Sequence, residues 1–468
     1  MKKTILSLCI LLISIFSTIG QTNNNIISPP KVDKRVELLS IVFRLAGNDE
    51  YNMDSYKSYV NDIHTYFDKY KKHPAIKFAT LLRKTKGVGY DAVMSMAIHL
   101  EQPPSLKPLI PFNDSIPNYR WSAKNSRKFI KLLQQFYIDA KCEDFFKEHE
   151  SLYLIAEERF KLVLDSLDVN WYKDFFGKEP NENFNIILGF GNGCNSYGPQ
   201  IKYINKKTDV YAIIGACNID SIGIPVYAVK NYLLLLVHEF NHSFVNQLID
   251  ENLKQLESSG KILFQQVEAK MKSQAYGNWR TMMYESLVRA SEIPYMKKHE
   301  MNFESMEMYE LSKGFLWINE LVDLLDQYEK ERKTYPTLES FMPQIISFYQ
   351  TTATNITTIK ENYDSKIPHV LSIQPFENDS KKVDPNIKEI KIHFDKPLLG
   401  KGYSFKPGDK NFDPKIGKIG YIDDNMGITI EVDLKPNREY YFILMGYAFK
   451  TKEGFPLENY EVKFKTGK

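Results

Sequence analysis

The stretch "YLLLLVHEFNHSFVN", from Tyr232 to Asn246, places two histidines and a glutamate at the end of an apolar run. Residues four positions apart lie on the same face of an α-helix, so His238 and His242 can bind one ion between them. Imidazole nitrogens suit Zn²⁺, and Glu239 can reach a water molecule beside such an ion. The leucines before the motif predict a buried helix, which would hold these side chains on a rigid element.

Two histidines leave a catalytic zinc site one protein ligand short. The residues after His242, "SFVNQLIDE", contain no third histidine and therefore do not fit the metzincin pattern. The later segment "NWRTMMYESLVRASEIPY" offers Glu285 among apolar neighbours, with Arg289 one turn further on as a residue that would orient the carboxylate. Glu292, two turns beyond Glu285 on the same face, is the alternative third ligand.

The alternative interpretation of the motif is a pair of surface or capping histidines on an ordinary helix. The chain has nine histidines. At that frequency, a chance His-Glu-x-x-His pattern is expected in roughly one such sequence in a hundred. The motif therefore favours a metal site.

HEFNH, followed by "YESLVRA" on a second predicted helix, resembles the gluzincin group of zinc metallopeptidases. The resemblance covers about residues 180–300 and is closest to exported bacterial proteins of similar length. It implies that Glu285 is the third zinc ligand, and that Glu239 is the general base that takes a proton from a zinc-activated water. The separation of 43 positions between His242 and Glu285 is longer than in many gluzincins, because it contains an additional predicted helix.

The same resemblance gives a role to the strand before the HExxH helix. Zincins present an edge strand above the metal, and an extended peptide adds to it by backbone hydrogen bonds. Ala212, Ile213, Ile214 and Gly215, in "DVYAIIGAC", occupy that place in the sequence. The alternative is that this strand only contributes to the core.

Two tyrosines are candidates for the group that stabilises the oxyanion in such enzymes. They are Tyr276, which precedes the "YESLVRA" helix, and Tyr349. Each could instead be a packing residue, and the sequence does not choose between these roles.

The hydrophobic periodicity predicts an α+β fold, with a mostly helical domain over residues 33–366. The resemblance implies that this domain is zincin-like. We expect helices from residue 33 to about 167, and a zinc-site core over about 180–300. Within that core, "NFNIILGFG", "QIKYI" and "DVYAIIGAC" predict a small sheet before the HExxH helix.

From residue 367 to 468, short alternating segments predict an all-β sandwich. The segments "IKIHFDKPL", "LKPNREYYFIL", "TKEGFPL" and the terminal "VKFKTG" resemble bacterial immunoglobulin-like domains of the surface-layer type. Modules of that kind act as spacers, docking domains or binding domains. We therefore expect the catalytic residues to lie before residue 367.

Residues 1–20 have the pattern of a secretory signal peptide, with the basic start "MKK", the apolar run "TILSLCILLISIF" and the small-residue end "STIG". We predict cleavage near Gly20, a mobile leader over residues 21–32, and an exported protein that is periplasmic or secreted. No later apolar run approaches the ~20 residues of a membrane helix, so we expect no stable membrane insertion. In an oxidising compartment a disulfide can form, and Cys194 and Cys217, which flank neighbouring predicted strands, are the favoured pair. The sequence leaves open whether they are bonded.

The charge balance narrows the range of partners. The chain has 61 Lys and Arg against 58 Asp and Glu, for a formal net charge of +3, which favours neither nucleic acid nor an anionic membrane. The resemblance to gluzincins, together with the signal-peptide pattern, implies an exported metallopeptidase that uses Zn²⁺ to hydrolyse a peptide or protein substrate. The alternatives are an inactive binding protein on a zincin scaffold at the cell surface, and another zinc hydrolase.

Overall fold

A computed structural model describes residues 27–180, 182–204, 208–407, 414 and 416–468. The predicted signal peptide and the leader up to residue 26 lie outside these residues. The fold is α+β, as the sequence predicts. The chain divides into two compact units, the first formed by Met1–Glu157 and Glu182–Cys217, and the second by Glu158–Asn181 and Asn218–Lys468.

The first unit combines helices with a small sheet. Its elements, in chain order, are β1 (Lys31–Val32), α1 (Lys34–Leu45), α2 (Lys57–Phe67), α3 (Pro74–Lys86), α4 (Asp91–Ile98), α5 (Ala123–Asp139), α6 (Cys142–Glu148), α7 (Glu150–Asp165, which continues into the second unit), β2 (Glu182–Gly189), β3 (Gln200–Lys202) and β4 (Thr208–Gly215). The strand order is β1-β2-β4-β3, with β1 and β4 parallel to β2, and β3 antiparallel to β4.

The sheet confirms the three predicted strands and adds one that the sequence did not predict. Lys31 and Val32 form β1, and Ile27 forms a further parallel bridge to Phe184 of β2. Residues 27–32 are therefore not a mobile leader. They pair with a strand that would otherwise expose its backbone at the edge of the sheet.

The cysteine pair that the sequence favours forms a disulfide. Cys194, in the segment after β2, is bonded to Cys217, just beyond the end of β4, and the Cα atoms are 4.5 Å apart. The bond therefore links the connection that leaves β2 to the end of the neighbouring strand.

The helix α1 is buried along nearly its whole length, including a carboxylate at Glu37. Oε1 of Glu37 accepts a hydrogen bond from the N–H of Phe190 at 2.7 Å, and Oε2 accepts one from the hydroxyl of Tyr59 at 2.8 Å. Burial raises the pKa of Glu37 to about 7, although these donors act in the opposite direction. The carboxyl thus ties α1 and α2 to the segment that follows β2.

We expect this carboxyl to make the stability of the first unit depend on pH. The folded-state pKa of about 7 is above the ordinary glutamate value of 4.5, which the unfolded chain has. The contribution of Glu37 is therefore fully present below the lower value and is lost as the pH rises through the higher one. The change in the free energy of unfolding is of order 3 kcal/mol.

Thermal unfolding between pH 4 and 8 should show this decline in stability, and the decline should be smaller in Glu37→Gln. The exposed Glu148→Gln is the matched control. An equal decline in wild type and Glu37→Gln would contradict the assignment.

The second unit contains the remaining helices and a strand-rich C-terminal region. Its helices are α8 (Val169–Phe176), α9 (Val229–Glu251), α10 (Leu253–Ser273), α11 (Trp279–Lys298), α12 (Glu304–Lys313), α13 (Ile318–Lys330) and α14 (Leu338–Asp364). Its strands are β5 (Val370–Gln374), β6 (Glu389–Phe394), β7 (Phe405–Pro407), β8 (Ile419–Ile422), β9 (Gly427–Glu431), β10 (Glu439–Leu444) and β11 (Tyr460–Lys465).

The strands after α14 form two sheets, in the orders β5-β6-β9-β8 and β11-β10-β7. Their inward side chains share one hydrophobic core, in which Ile392 and Ile430 of the first sheet are buried together with Phe442 and Phe464 of the second. The C-terminal region is thus strand-rich, as the predicted fold class has it, and its first strand begins at Val370. A salt bridge between Lys270 of α10 and Glu458, at 2.7 Å, links this region to the helices of the same unit.

The residues of the predicted zinc-site core, about 180–300, divide between the two units. The sheet belongs to the first unit, and the helices from α9 onward belong to the second. The reason is that β2 pairs with β1 from the start of the chain, which joins the sheet to the N-terminal helices. Within the described residues, no helix is both long enough and apolar enough to cross a membrane.

Candidate metal centre

The helix α9 is fixed by an aromatic cluster on the side away from its histidines. Phe240 and Phe244 are buried, and the ring of Phe244 stacks on Phe176 of α8 with centroids 4.2 Å apart. Tyr172 of α8 also stacks on Phe244, at 5.8 Å. The apolar residues of HEFNHSF thus anchor the helix.

His238, His242 and Glu285 come together as the sequence predicts. The two Nε2 atoms are 3.2 Å apart, Oε2 of Glu285 is 3.6 Å from Nε2 of His238, and Oε1 is 3.6 Å from Nε2 of His242. Atoms that each lie ~2.1 Å from a tetrahedral zinc ion are ~3.4 Å from one another. The three side chains therefore form a possible metal-binding triad with suitable spacing.

Both imidazoles are oriented by contacts at Nδ1, on the side of the ring that faces away from the triad. Nδ1 of His238 is 2.7 Å from Oε1 of Glu292, and Nδ1 of His242 is 3.1 Å from Oδ1 of Asn246. Because both partners are oxygen acceptors, Nδ1 carries the donated proton and Nε2 faces the triad, an arrangement typical of metal-binding histidines. Glu292 is therefore a hydrogen-bond partner of His238, and Glu285 completes the possible metal-binding triad.

Glu285 lies in a charged pocket on α11. Arg289, one turn further on, lies 3.3 Å from its Oε2, and the hydroxyl of Tyr276 donates to the same oxygen at 2.9 Å. Burial would raise the pKa of the Glu285 carboxyl, but His238, His242 and Arg289 outweigh it and hold the pKa below its ordinary value. The predicted role of Arg289 in orienting the carboxylate agrees with this contact.

The pKa of His238 is shifted in the opposite direction to that of Glu285. Burial lowers the pKa of His238, but Glu292 and Glu285 outweigh burial and raise it to about 9. The site thus favours positive charge at this position.

Glu239 is partly buried beside His238. Its carboxylate makes no hydrogen bond or ion pair within the part of the chain that the structure describes. It is the carboxylate next to the triad that is free to accept a proton.

Sequence reasoning missed several groups around the triad. Asn246 lies four residues after His242, so helical spacing could have identified it as a partner. Asn241 of the motif donates from Nδ2 to the carbonyl of Val288 at 3.4 Å and links α9 to α11. Glu310 of α12 accepts from Arg289 at 2.8 Å, and no sequence spacing relates these two residues.

The two candidate oxyanion tyrosines differ in their surroundings. Tyr349 is fully buried and donates to Oγ of Ser286 at 3.0 Å, so it is a packing residue. Tyr276 is in contact with the triad through Glu285.

The predicted substrate strand does not have the free edge that strand addition requires. Ile213 of β4 donates to and accepts from Tyr197, each at 2.9 Å, and the other side of β4 pairs with β2 throughout residues 208–215. Ala212, Ile213, Ile214 and Gly215 thus lie within the sheet. The structure thus favours the alternative, in which this strand contributes to the core, because irregular chain around Tyr197 pairs with it.

Comparisons with known proteins give one family and a few distant structures. Three solved structures of the S-layer protein SbsC align with half of this chain, at 14–15% identity and TM-scores of 0.19, 0.18 and 0.17. The aligned part spans 33%, 33% and 58% of those chains, and scores this low do not indicate a shared fold. The sequence matches no curated protein. Residues 30–348, which include the whole triad, match the family described as "Domain of unknown function (DUF4932)", and the chain belongs to that family.

Proposed function

We propose that the protein is a zinc-dependent metallopeptidase that hydrolyses peptide bonds. The observation that carries this proposal is the triad of His238, His242 and Glu285, whose ligand atoms have the mutual spacing of a tetrahedral metal site. Two imidazoles with one carboxylate are a ligand set of catalytic zinc in peptidases, whereas structural zinc sites use four protein ligands.

The buried charges around the triad support a cation. Glu285, Glu292 and Glu310 are each less than one tenth exposed, and Arg289 supplies one positive charge among them. Buried carboxylates in excess of their partners cost free energy, and a divalent ion would offset this cost. Since the described residues fit the metal, the site does not need to rearrange to receive it.

The chain's own groups account for the remaining chemistry. A zinc ion at the triad would supply Lewis acidity and lower the pKa of water to about 7. The Glu239 carboxylate accepts a proton from the attacking water and then delivers it to the leaving amine. Glu292 and Asn246 hold the imidazoles so that Nε2 of each faces the triad. The aromatic face of α9 keeps the helix fixed while the substrate reacts.

We also propose that the protein is exported. The signal-peptide pattern over residues 1–20 supports this, and so does the bond between Cys194 and Cys217, because disulfides persist in oxidising compartments.

Metal analysis followed by a peptide-library digest tests the proposal. We expect purified protein dialysed against zinc to retain about one ion per chain, as the ligand set requires. Digestion should produce new peptide termini, and a zinc chelator should stop it. His238→Ala with His242→Ala is the matched inactive control.

Three other outcomes contradict the proposal in different ways. Protein that retains no zinc would exclude the metal site. Zinc without any cleavage would favour an inactive binding protein on the same scaffold. Cleavage of ester or amide substrates without cleavage of peptides would favour another zinc hydrolase.

A further inference from the structure

Tyr276 lies in the short segment between α10 and α11. Its backbone N–H donates to the carbonyl of Met271 at 2.9 Å, so the residue is held against the end of α10. The preceding residue, Ala275, adopts a φ of +67° in the left-handed region, which is unfavourable for a residue with a Cβ. The chain therefore maintains an unfavourable backbone conformation immediately before this tyrosine.

The direction of the hydrogen bonds at the Tyr276 hydroxyl is fixed by its partners. Nη2 of Arg289 donates to the hydroxyl oxygen at 2.8 Å, and an arginine cannot accept a hydrogen bond. The single hydroxyl proton of Tyr276 therefore goes to Oε2 of Glu285, at 2.9 Å. Arg289 is itself held by Glu310, at 2.8 Å from Nη1, and its guanidinium lies over the ring of Phe315.

The two carboxylate oxygens of Glu285 consequently differ in their hydrogen-bond partners. Oε2 receives the Tyr276 hydroxyl and the Arg289 guanidinium. Oε1 faces Nε2 of His242 at 3.6 Å and accepts no hydrogen bond from the residues that the structure describes. A phenol whose proton is already donated to the third ligand is not available to stabilise charge on a substrate.

We propose that Tyr276 is a positioning residue, whose hydroxyl holds Oε2 of Glu285 and leaves Oε1 for the metal. This inference rests on the proposed function, since it assigns a role within the same site. It replaces the role of oxyanion stabiliser that the sequence suggested for Tyr276.

Zinc affinity of Tyr276→Phe, measured by competition with a chromophoric chelator, tests the inference. Loss of such a partner typically weakens metal binding 10–100-fold, and we expect a decrease in that range. The turnover of protein saturated with zinc should stay within a few-fold of wild type. Tyr284→Phe is the matched control, because Tyr284 lies next to Glu285 on α11 but its hydroxyl contacts Asp250 and Arg280. Thermal unfolding should confirm that both variants fold.

Two results would overturn the inference. If Tyr276→Phe binds zinc as tightly as wild type, the hydroxyl does not position Glu285. A loss of turnover in the same variant would then indicate that the hydroxyl stabilises the oxyanion of the substrate. If wild type itself binds no zinc, the proposed function fails and this inference fails with it. The wild-type titration therefore distinguishes the two failures.

Discussion

Replacing Glu239 by glutamine should leave about one zinc ion per chain and lower peptide hydrolysis by ~10²–10⁴-fold, the range typical of a lost general base. The physical reason is that Glu239 is next to the triad without belonging to it. His238, His242 and Glu285 supply the ligand atoms, so the metal content should not depend on Glu239. Glutamine has nearly the same shape but cannot accept the proton of the attacking water.

Metal content by mass spectrometry and peptide turnover should be measured on the same preparations of this variant. Glu251→Gln is the control, because it makes the same change at the exposed C-terminal end of α9. Full turnover in Glu239→Gln would exclude Glu239 as the base. Loss of zinc in Glu239→Gln would show that the carboxylate supports metal binding, and the division between ligand and base would be wrong.

Replacing Glu285 by alanine should remove both the zinc and the activity. Two histidines then remain, which is too few protein ligands for a tight catalytic site. Arg289 also loses one of its two carboxylate partners and keeps only Glu310. Glu292→Ala should behave differently, because Glu292 contacts Nδ1 of His238 and is not itself a ligand. Its replacement should lower the affinity for zinc by only ~10–100-fold.

The comparison between these two variants decides the third ligand. Full zinc in Glu285→Ala with depleted zinc in Glu292→Ala would transfer the ligand role to Glu292. Full zinc in both would overturn the gluzincin assignment. Glu285→Gln, which retains the shape of the side chain, separates loss of the ligand from loss of folding, and a thermal unfolding curve checks the latter.

Helical spacing is the reason that the sequence predicts the triad. His238 and His242 follow from a four-residue separation on one helix, and Arg289 has the same separation from Glu285. Glu285 was preferred over Glu292 because of its apolar neighbours and the resemblance to gluzincins. The structure supports that choice through a contact that spacing does not reveal, between Glu292 and the far side of the His238 ring.

Other contacts join residues whose sequence separation has no regular pattern. Glu310 reaches Arg289 from α12, and Tyr276 reaches Glu285 from a segment between helices, so both depend on tertiary packing. β1 was missed for a similar reason. Two residues carry too little periodicity to predict a strand, and only their pairing with β2 makes them one. Of the two roles that the sequence leaves open for the strand at Ile213, the structure favours the core, because Tyr197 pairs with Ile213 from irregular chain.

The bond between Cys194 and Cys217 has a consequence for how the protein should be produced. The cysteines are 23 positions apart, and closing a loop of that length removes conformations that the unfolded chain would otherwise sample. In the chain-entropy description this destabilises the unfolded chain by about 3 kcal/mol, without adding any contact to the folded one. A chain synthesised in a reducing cytosol would lack this contribution until it is oxidised. Preparations from oxidising and reducing hosts would then differ in yield and resistance to proteases even if their folded structures were identical.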